Sequence, residues 1–529
     1  MQQLFKNILF VIPSYAHSAI DKYALRTSVV PFGVLSLASY IKTYCPNIEC
    51  RILDFNTEDQ DIVEQCAALE SQMIEFEPDI VALSIMYNAC QKYIKPFAEI
   101  IKRIQPQSTL IAGGIMATNM PGEVFRESPL VDAICYGEGE IPLMDLLHGN
   151  NKNEIFFNHP SWILPGAIEN GKRPRHSFVL NLDDIPPINY SLVDIKKYSG
   201  RISSKDGKDK FTLPIHSTRG CPFNCIFCCS AANHGKTVRY MSAKRFLADV
   251  ERMIRDYGIT KLSIDDDQFL FFRDRAKEIL IGLAKFNIEV EMANGLTVRF
   301  IDDEIAALLK NAGLKIAVLA IESGSPRVLR EIIGKPLNLE QVPPAVEALR
   351  KQNLAIHTFF IIGFPGETIN DRQLTRDHIL NIGYDWNGIY IATPYKGSRL
   401  FELCLKNGYI SEKCSSQYSI YQCQITAPGI DPQLITREAY LLNLDVNFVN
   451  NFNVSKNNTR IAAEYFAGVV RRYPTHAFAH YYLAKAMEKL PESSPNSIKE
   501  HYSRFRDILS SDKEWMEYAV RFNLLVTKT

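Results

Sequence analysis

Long hydrophobic runs are missing from this chain: no segment reaches the ~18 uninterrupted apolar residues that a membrane span needs, so no span is expected. An excess of charge is missing too. Basic and acidic residues balance at 59 each, which gives no global field toward nucleic acid or a membrane surface. The opening stretch MQQLFKNILFVIPSYA has one short apolar run, then Pro13, and no small-residue cleavage signal, so no leader is expected. Without a secretory route the 12 cysteines stay reduced in the cytoplasm, which argues against a disulfide framework. A cluster of reduced thiols is then metal-binding or catalytic. The chain also lacks the second C-x2-C knuckle or histidine pair that would complete a tetrahedral zinc site.

What is present divides into four parts, as expected for 529 residues. Residues 1–150 alternate short apolar runs (6–14, 49–55, 78–86, 109–114, 132–140) with segments of helical period. Runs this short and apolar suit parallel strands covered on both faces, and the alternation predicts a doubly wound, Rossmann-like α/β sheet. Ligands in such sheets sit beyond the carboxyl ends of the strands. Those ends carry Ser14, Ser84 with Ile85 and Met86, Gly113 with Gly114, and Gly137 with Glu138. Residues 151–211 read as a linker, with the helix-stopping pair Pro186-Pro187. Residues 212–425 resume the alternation, with six strands near 213–218, 261–265, 288–293, 315–321, 355–362 and 388–393. Six βα units predict a partial (β/α)6 TIM-type barrel whose chemistry gathers at the strands' carboxyl ends. Residues 426–529 show no strand pattern and predict an all-α region. Its 462–492 stretch resembles one tetratricopeptide-type pair, too few units for a solenoid, so a lid or cap on the barrel is expected.

The stretch TRGCPFNCIFCC (218–229) follows the first barrel strand. Cys221, Cys225 and Cys228 are spaced C-x3-C-x2-C. Three thiolates can hold three irons of a 4Fe–4S cluster and leave the fourth open. Pro222 and Asn224 favour a turn there, and Gly220 permits close backbone approach. Cys229 lies outside the triplet and reads as a packed neighbour.

C-x3-C-x-aromatic-C at the end of a first barrel strand resembles the signature of the radical S-adenosylmethionine (SAM) superfamily. The resemblance implies that SAM chelates the open iron and is cleaved there to a radical. It also implies a set of SAM-binding residues. Phe227 would shield the cluster, and Asp265, Asp266 and Asp267 in LSIDDDQFL would meet the SAM amino end, although the family more often has Gly-Gly-Glu. Glu322 in LAIESGSPRVL would accept the ribose hydroxyls, Arg299 in NGLTVRF would pair with the SAM carboxylate, and Gly363 in FFIIGFPGET would shape backbone along the adenine. The alternatives are a solvated acidic turn for two of the aspartates and a surface role for Arg299.

PFGVLSLASYIK, PDIVALSIMY, LIAGGIMATNMPGEVF and VDAICYGEGE, placed ahead of that barrel, resemble the cobalamin-binding domain of cobalamin-dependent radical SAM enzymes. The strand-end residues Ser14, Ser84, Ile85, Met86, Gly113, Gly114, Gly137 and Glu138 would then face cobalamin. The motif Asp-x-His-x-x-Gly is absent, and His17 reads as a loop residue, so no histidine ligation of cobalt is expected. Methylthiotransferases, the other near relatives, carry three cluster cysteines in their first domain, whereas Cys45, Cys50, Cys66, Cys90 and Cys135 are scattered here.

The resemblance implies three cofactors, a 4Fe–4S cluster, SAM and cobalamin. It implies a methyltransferase acting on an unactivated carbon of a small-molecule or peptide- or carrier-bound substrate, driven by an external flavodoxin- or ferredoxin-type donor. Nucleic acid is not an expected partner. Two alternatives stand beside it: ring contraction, cyclisation or oxidation on the same scaffold, and non-enzymatic sensing or electron transfer. Tyr390, Tyr395 and Trp386 are either substrate-side or core residues.

Overall fold

The structure, a computed structural model, describes residues 5–15, 29–168, 171, 173–198, 211–411 and 420–525. His17 lies outside the described residues. The first five strands are β1 (Asn7–Ile12), β2 (Glu49–Asp54), β3 (Ile80–Ser84), β4 (Thr109–Gly113) and β5 (Ala133–Cys135). They pair in parallel in the order β2-β1-β3-β4-β5. Side chains alternate faces along a strand, and here both faces are buried. Ile8, Phe10 and Ile12 enter one core with the helix Phe32–Tyr44, while Leu9 and Val11 enter another with the helix Gln91–Ile104. That double burial is why the runs are continuously apolar.

The segment read as a linker does more than connect. After a helix at Lys152–Asn158, the short strand β6 (Trp162–Ile163) pairs antiparallel with β5 and becomes the sixth strand of the sheet. Two residues are too few to show a strand period. Further along, Leu182, Ile185 and Tyr190 are buried, and the Tyr190 hydroxyl donates to the Pro214 carbonyl at 2.5 Å.

The second domain has β7 (Thr212–Ile215), β10 (Lys261–Ile264), β11 (Glu289–Glu291), β12 (Ile316–Glu322), β13 (Ala355–Ile362) and β14 (Trp386–Ile391). β7, β10 and β11 form one parallel sheet and β12, β13 and β14 another. The single pairings Val290–Leu314 and Leu296–Leu319 join them into one arc. Among the described residues β14 does not pair with β7, so the barrel is open. Between β7 and β10 a small antiparallel ladder, β8 (Thr218–Arg219) with β9 (Arg239–Tyr240), closes the base of the cysteine loop. The barrel shares one continuous core with a face of the first sheet, since Ile8 and Leu35 belong to the same cluster as Ile215 and Leu262.

The C-terminal helices, expected as a lid or cap on the barrel, pack against its last strands. The helix Pro432–Leu444 and the turn Asp445–Val449 that follows it run along β14, from Ile435 beside Gly363 at the carboxyl end to Asn447 beside Asn387 at the amino end. The later helices build their own core around Phe448, Phe466 and Phe478. They dock at the amino ends of β13 and β14, where Trp386 stacks on Tyr465 at 5.5 Å and His357 Nε2 lies 2.8 Å from the Tyr465 hydroxyl. Trp386 is therefore part of this packing. No helix among the described residues is long and apolar enough to cross a membrane.

Candidate functional site

The cysteine loop is held by its backbone. Gly220 has φ +96°, and a Cβ there would strike the Thr237 carbonyl; only glycine fits at that approach. Cys221 N–H donates to the Gly235 carbonyl at 3.1 Å and Ile226 N–H to that of Ile333 at 2.9 Å. Cys221, Cys225 and Cys228 then line one cavity of about 280 Å³, together with Phe223, Asn224, Lys236 and Arg399. Among the described residues no three His, Cys, Asp or Glu side chains are grouped as a single-ion site. Thiols spread around a cavity suit a multi-iron cluster, which takes one thiolate per iron. Burial raises all three thiols, Cys225 to about 12, so the positive charge of iron is what would hold them as thiolates. Cys229 does not line the cavity; its thiol points at the Lys396 carbonyl, 3.7 Å away.

The three aspartates after β10 have separate positions. Asp266, only 5% exposed, accepts from the Ser217 N–H, from the Ser217 hydroxyl at 2.6 Å and from the Thr218 N–H at 3.0 Å. Asp267 accepts from Gly220 N–H at 2.8 Å and from the Ser230 hydroxyl. Both carboxylates thus staple the approach to the cysteine loop. Among the described residues Asp265 accepts from the Ser263 hydroxyl alone, at 2.6 Å, and burial raises its carboxyl. The next residue, Gln268, was not singled out in the sequence. Its amide nitrogen donates to Cys221 Sγ at 3.3 Å, and its carbonyl accepts from the Thr297 hydroxyl at 3.2 Å. Its position directly after the aspartates was the one available signal.

Glu322 ends β12 with φ +73°, an uncommon left-handed conformation for a non-glycine residue. Its carboxylate is buried and paired with Lys335 Nζ at 3.0 Å. Arg299 is exposed and lies over the rings of Phe223 and Phe300, at 5.0 and 4.6 Å. The Phe227 ring is 6.2 Å from that of Phe364. Gly363 has φ +89°, and its N–H donates to Glu367 at 2.5 Å. Burial pushes the Glu367 carboxyl up to about 7.

At the carboxyl ends of the first sheet, Ser14 and Ile85 are buried, while Ser84, Met86 and Gly113 are half-buried. Gly114, at φ +95°, leaves no room for a Cβ, which would meet the Ile85 carbonyl oxygen at 2.7 Å. Gly137, at φ +79°, packs against the His176 ring. Around these backbones lies an exposed, largely aromatic surface. Tyr87, Ile115, Tyr395 and Tyr421 are 53, 38, 42 and 57% exposed. The rings of Tyr15 and Tyr87 are 5.1 Å apart, those of Tyr390 and Tyr421 6.3 Å apart. Apolar faces left open at strand ends fit a broad, flat ligand such as a corrin.

Glu138 stands apart from this group. It is buried, and its two oxygens receive Arg219 Nη1 at 3.1 Å, Arg239 at 2.9 and 2.5 Å, and His234 Nδ1 at 2.8 Å. Burial opposes its charge, but these partners outweigh it and hold the carboxyl well below the usual range.

Comparison with known proteins agrees with the two halves of the site. Residues 24–147 match the B12 binding domain and residues 215–379 the Radical SAM superfamily. An uncharacterized methyltransferase of Pyrococcus horikoshii is 31% identical over 416 residues, covering 76% of this chain and 84% of that protein. Cytidylyl-2-hydroxyethylphosphonate methyltransferase of Streptomyces wedmorensis is 26% identical over 490 residues, 84% of this chain and 90% of the relative. Among solved structures, the radical SAM methyltransferase TsrM of Kitasatospora setae, with cobalamin and a 4Fe–4S cluster bound, superposes with a TM-score of 0.63 at 13% identity, over 96% of this chain and 99% of that one. From the cysteine loop, the exposed strand ends and these matches together, the chain belongs to the cobalamin-dependent radical SAM enzymes.

Proposed function

We propose that this protein is a cobalamin-dependent radical SAM methyltransferase that acts on an unactivated carbon. One observation carries the reading: the loop after β14 carries Tyr395, which interacts with Tyr87 just beyond β3, and also Gly397 and Arg399, which line the cavity with Cys221, Cys225 and Cys228. Cofactors held at the two places would reach one shared space. When bound, the cluster with SAM supplies a hydrogen-abstracting radical, and cobalamin supplies the methyl carrier.

The chain's own residues bind, orient and exclude water. The three cysteines hold the cluster, and Gln268 donates to the Cys221 sulfur. Glu322 accepts from ribose hydroxyls, Arg299 pairs with a carboxylate and Asp265 accepts from an ammonium group. Phe227 keeps water from the cluster, and Gly363 shapes the turn after β13. Asp266 and Asp267 position the loop. Ser14, Ser84, Ile85, Met86, Gly113, Gly114 and Gly137 form the floor under the corrin, while Glu138 acts from behind it.

The substrate is a small molecule or a carrier-bound group. TsrM, of the same fold, has been solved with tryptophan substrate and a SAM analogue. Electrons come from an external acidic flavodoxin- or ferredoxin-type protein. Lys236 and Arg399, both exposed at the cavity beside the exposed Cys228, offer it a basic landing place. Eleven described cysteines are free thiols, in keeping with the reducing cytoplasm as the site of action.

The test is anaerobic reconstitution with iron and sulfide, with and without cobalamin, followed by incubation with methyl-deuterated SAM and a low-potential reductant. Corrin retention and a labelled methyl group in the corrin fraction are expected. A cluster that cleaves SAM without retaining corrin would reduce the reading to a radical SAM enzyme with an accessory domain.

A further inference from the structure

The cluster loop is gripped from the first domain at two places, one around the buried Glu138 and one at the half-buried Glu123. Glu138, three residues beyond β5, binds both ends of the loop at once. On one side it holds Arg219, two residues before Cys221; on the other it holds His234 and Arg239, which follow Cys229. Glu140 adds a second bond to Arg219, at 2.9 Å. Glu138 and Glu140 thus face the fixed charges of Arg219 and Arg239, so the buried group is balanced. The second grip is Glu123, in the helix Pro121–Glu127, which pairs with Lys396, buried in the loop after β14. That loop in turn holds the cysteines. The Lys396 carbonyl accepts from the Cys229 thiol, Arg399 donates to the Asn224 carbonyl at 3.2 Å and Leu400 N–H to that of Ile226 at 2.8 Å.

Both carboxylates also sit on segments that lead to the exposed strand ends. Gly137 precedes Glu138 directly, and the helix bearing Glu123 follows the one that starts beside Gly114. Charges shielded from water interact more strongly than exposed ones, so a shift in either segment is passed to the loop through these pairs.

We propose that Glu138 and Glu123 are positioning residues through which occupancy of the corrin face sets the geometry, and hence the potential, of the cluster loop. The proposal rests on the reading of Cys221, Cys225 and Cys228 as cluster ligands. Coupling between sites is reciprocal: a corrin that changes the potential must itself bind the oxidised and reduced protein with different affinity.

The experiment uses the full chain, reconstituted anaerobically, with hydroxocobalamin as the probe. The midpoint potential and the electron paramagnetic resonance spectrum of the cluster are recorded with and without corrin. Hydroxocobalamin affinity is measured against the oxidised and reduced cluster. For the parent protein the expected affinity ratio is about fivefold or more, the lower end of usual site-to-site coupling, equivalent to a potential shift of about 40 mV for one electron. In Glu138→Gln the cluster still assembles but the corrin-dependent shift falls away. In the double variant Glu123→Leu/Lys396→Met, which removes both charges and leaves neither buried alone, it falls as well. A direct through-space effect of cobalt on iron would survive in both variants, and a shift retained at its parent size in the double variant overturns the proposal. So does a parent protein whose cluster spectrum and potential ignore corrin. If the parent protein assembles no more cluster than a Cys221→Ala/Cys225→Ala/Cys228→Ala protein, the ligand assignment fails first, and the proposal with it.

Discussion

Gln268 Nε2 lies 3.3 Å from Cys221 Sγ, the one side-chain amide directed at a cluster-loop thiol among the described residues. A hydrogen bond to a ligand sulfur favours the more negative, reduced cluster. Gln268→Leu is expected to keep the cluster and make its midpoint potential more negative. A neutral hydrogen bond worth about 1 kcal/mol corresponds to ~40 mV for one electron, readable by redox titration. An unchanged potential would mean that the amide does not act on the cluster.

Cysteine replacement should separate four neighbours. Alanine at Cys221, Cys225 or Cys228 is expected to abolish the visible cluster band after anaerobic reconstitution. Alanine at Cys229, which lies outside the cavity lining, should leave it in place. Loss of the band in Cys229→Ala would place that thiol among the ligands.

Glu322→Gln removes a carboxylate charge where the ribose is proposed to sit. Hydrogen bonds to charged groups are worth about 1.5–3 kcal/mol, so SAM affinity of the cluster-loaded protein should fall about 10- to 100-fold. Equilibrium dialysis measures it, and an unaltered Kd would remove Glu322 from the pocket.

Two glycines test backbone shape against chemistry. Gly258, at φ +67°, has no neighbour within 4 Å of a built Cβ, so Gly258→Ala carries only the left-handed penalty, about 1 kcal/mol. Gly363, at φ +89°, would drive a Cβ to 2.7 Å from Ile435 Cγ2, and Gly363→Ala should cost ~3 kcal/mol once overpacking is added. Chemical denaturation of both variants gives the comparison; equal losses would refute it.

The C-terminal helices should be acid-sensitive. His480 and His501 face each other with Nδ1 atoms 3.0 Å apart. Burial lowers both; at His480 the bond to the Pro474 carbonyl and the Glu500 charge oppose the shift while Arg504 adds to it, and at His501 His480 adds to it while Glu500 opposes it. A histidine whose folded pKa is depressed binds its proton more readily when unfolded. Its contribution is present above the unfolded value of about 6.5 and is lost as pH falls toward the folded value. Thermal unfolding at pH 7.5 and 5.5 should show a lower Tm at the acidic value, and His501→Gln should shrink that difference.

The sequence by itself determined the five parallel strands of the first sheet, the six strands of the barrel and the cysteine triplet. Continuous apolar runs were legible because β1 and its neighbours bury side chains on both faces, and C-x3-C-x2-C is a local spacing that survives any packing. Gly220 was legible for a similar reason: its role comes from its own backbone angle. The tertiary structure alone decided how the local pieces are shared out. Glu138, read as a corrin-facing residue, turns inward to Arg219 and Arg239, which are 81 and 101 residues away in sequence. Asp266 closes on Ser217 and Thr218 rather than on an open pocket. The helices after residue 426 reach the amino ends of β13 and β14, because Trp386 and His357 find their partners there. A charged or aromatic side chain has the same letter whether it meets a ligand or a distant part of its own chain, and only the folded contact tells the two apart.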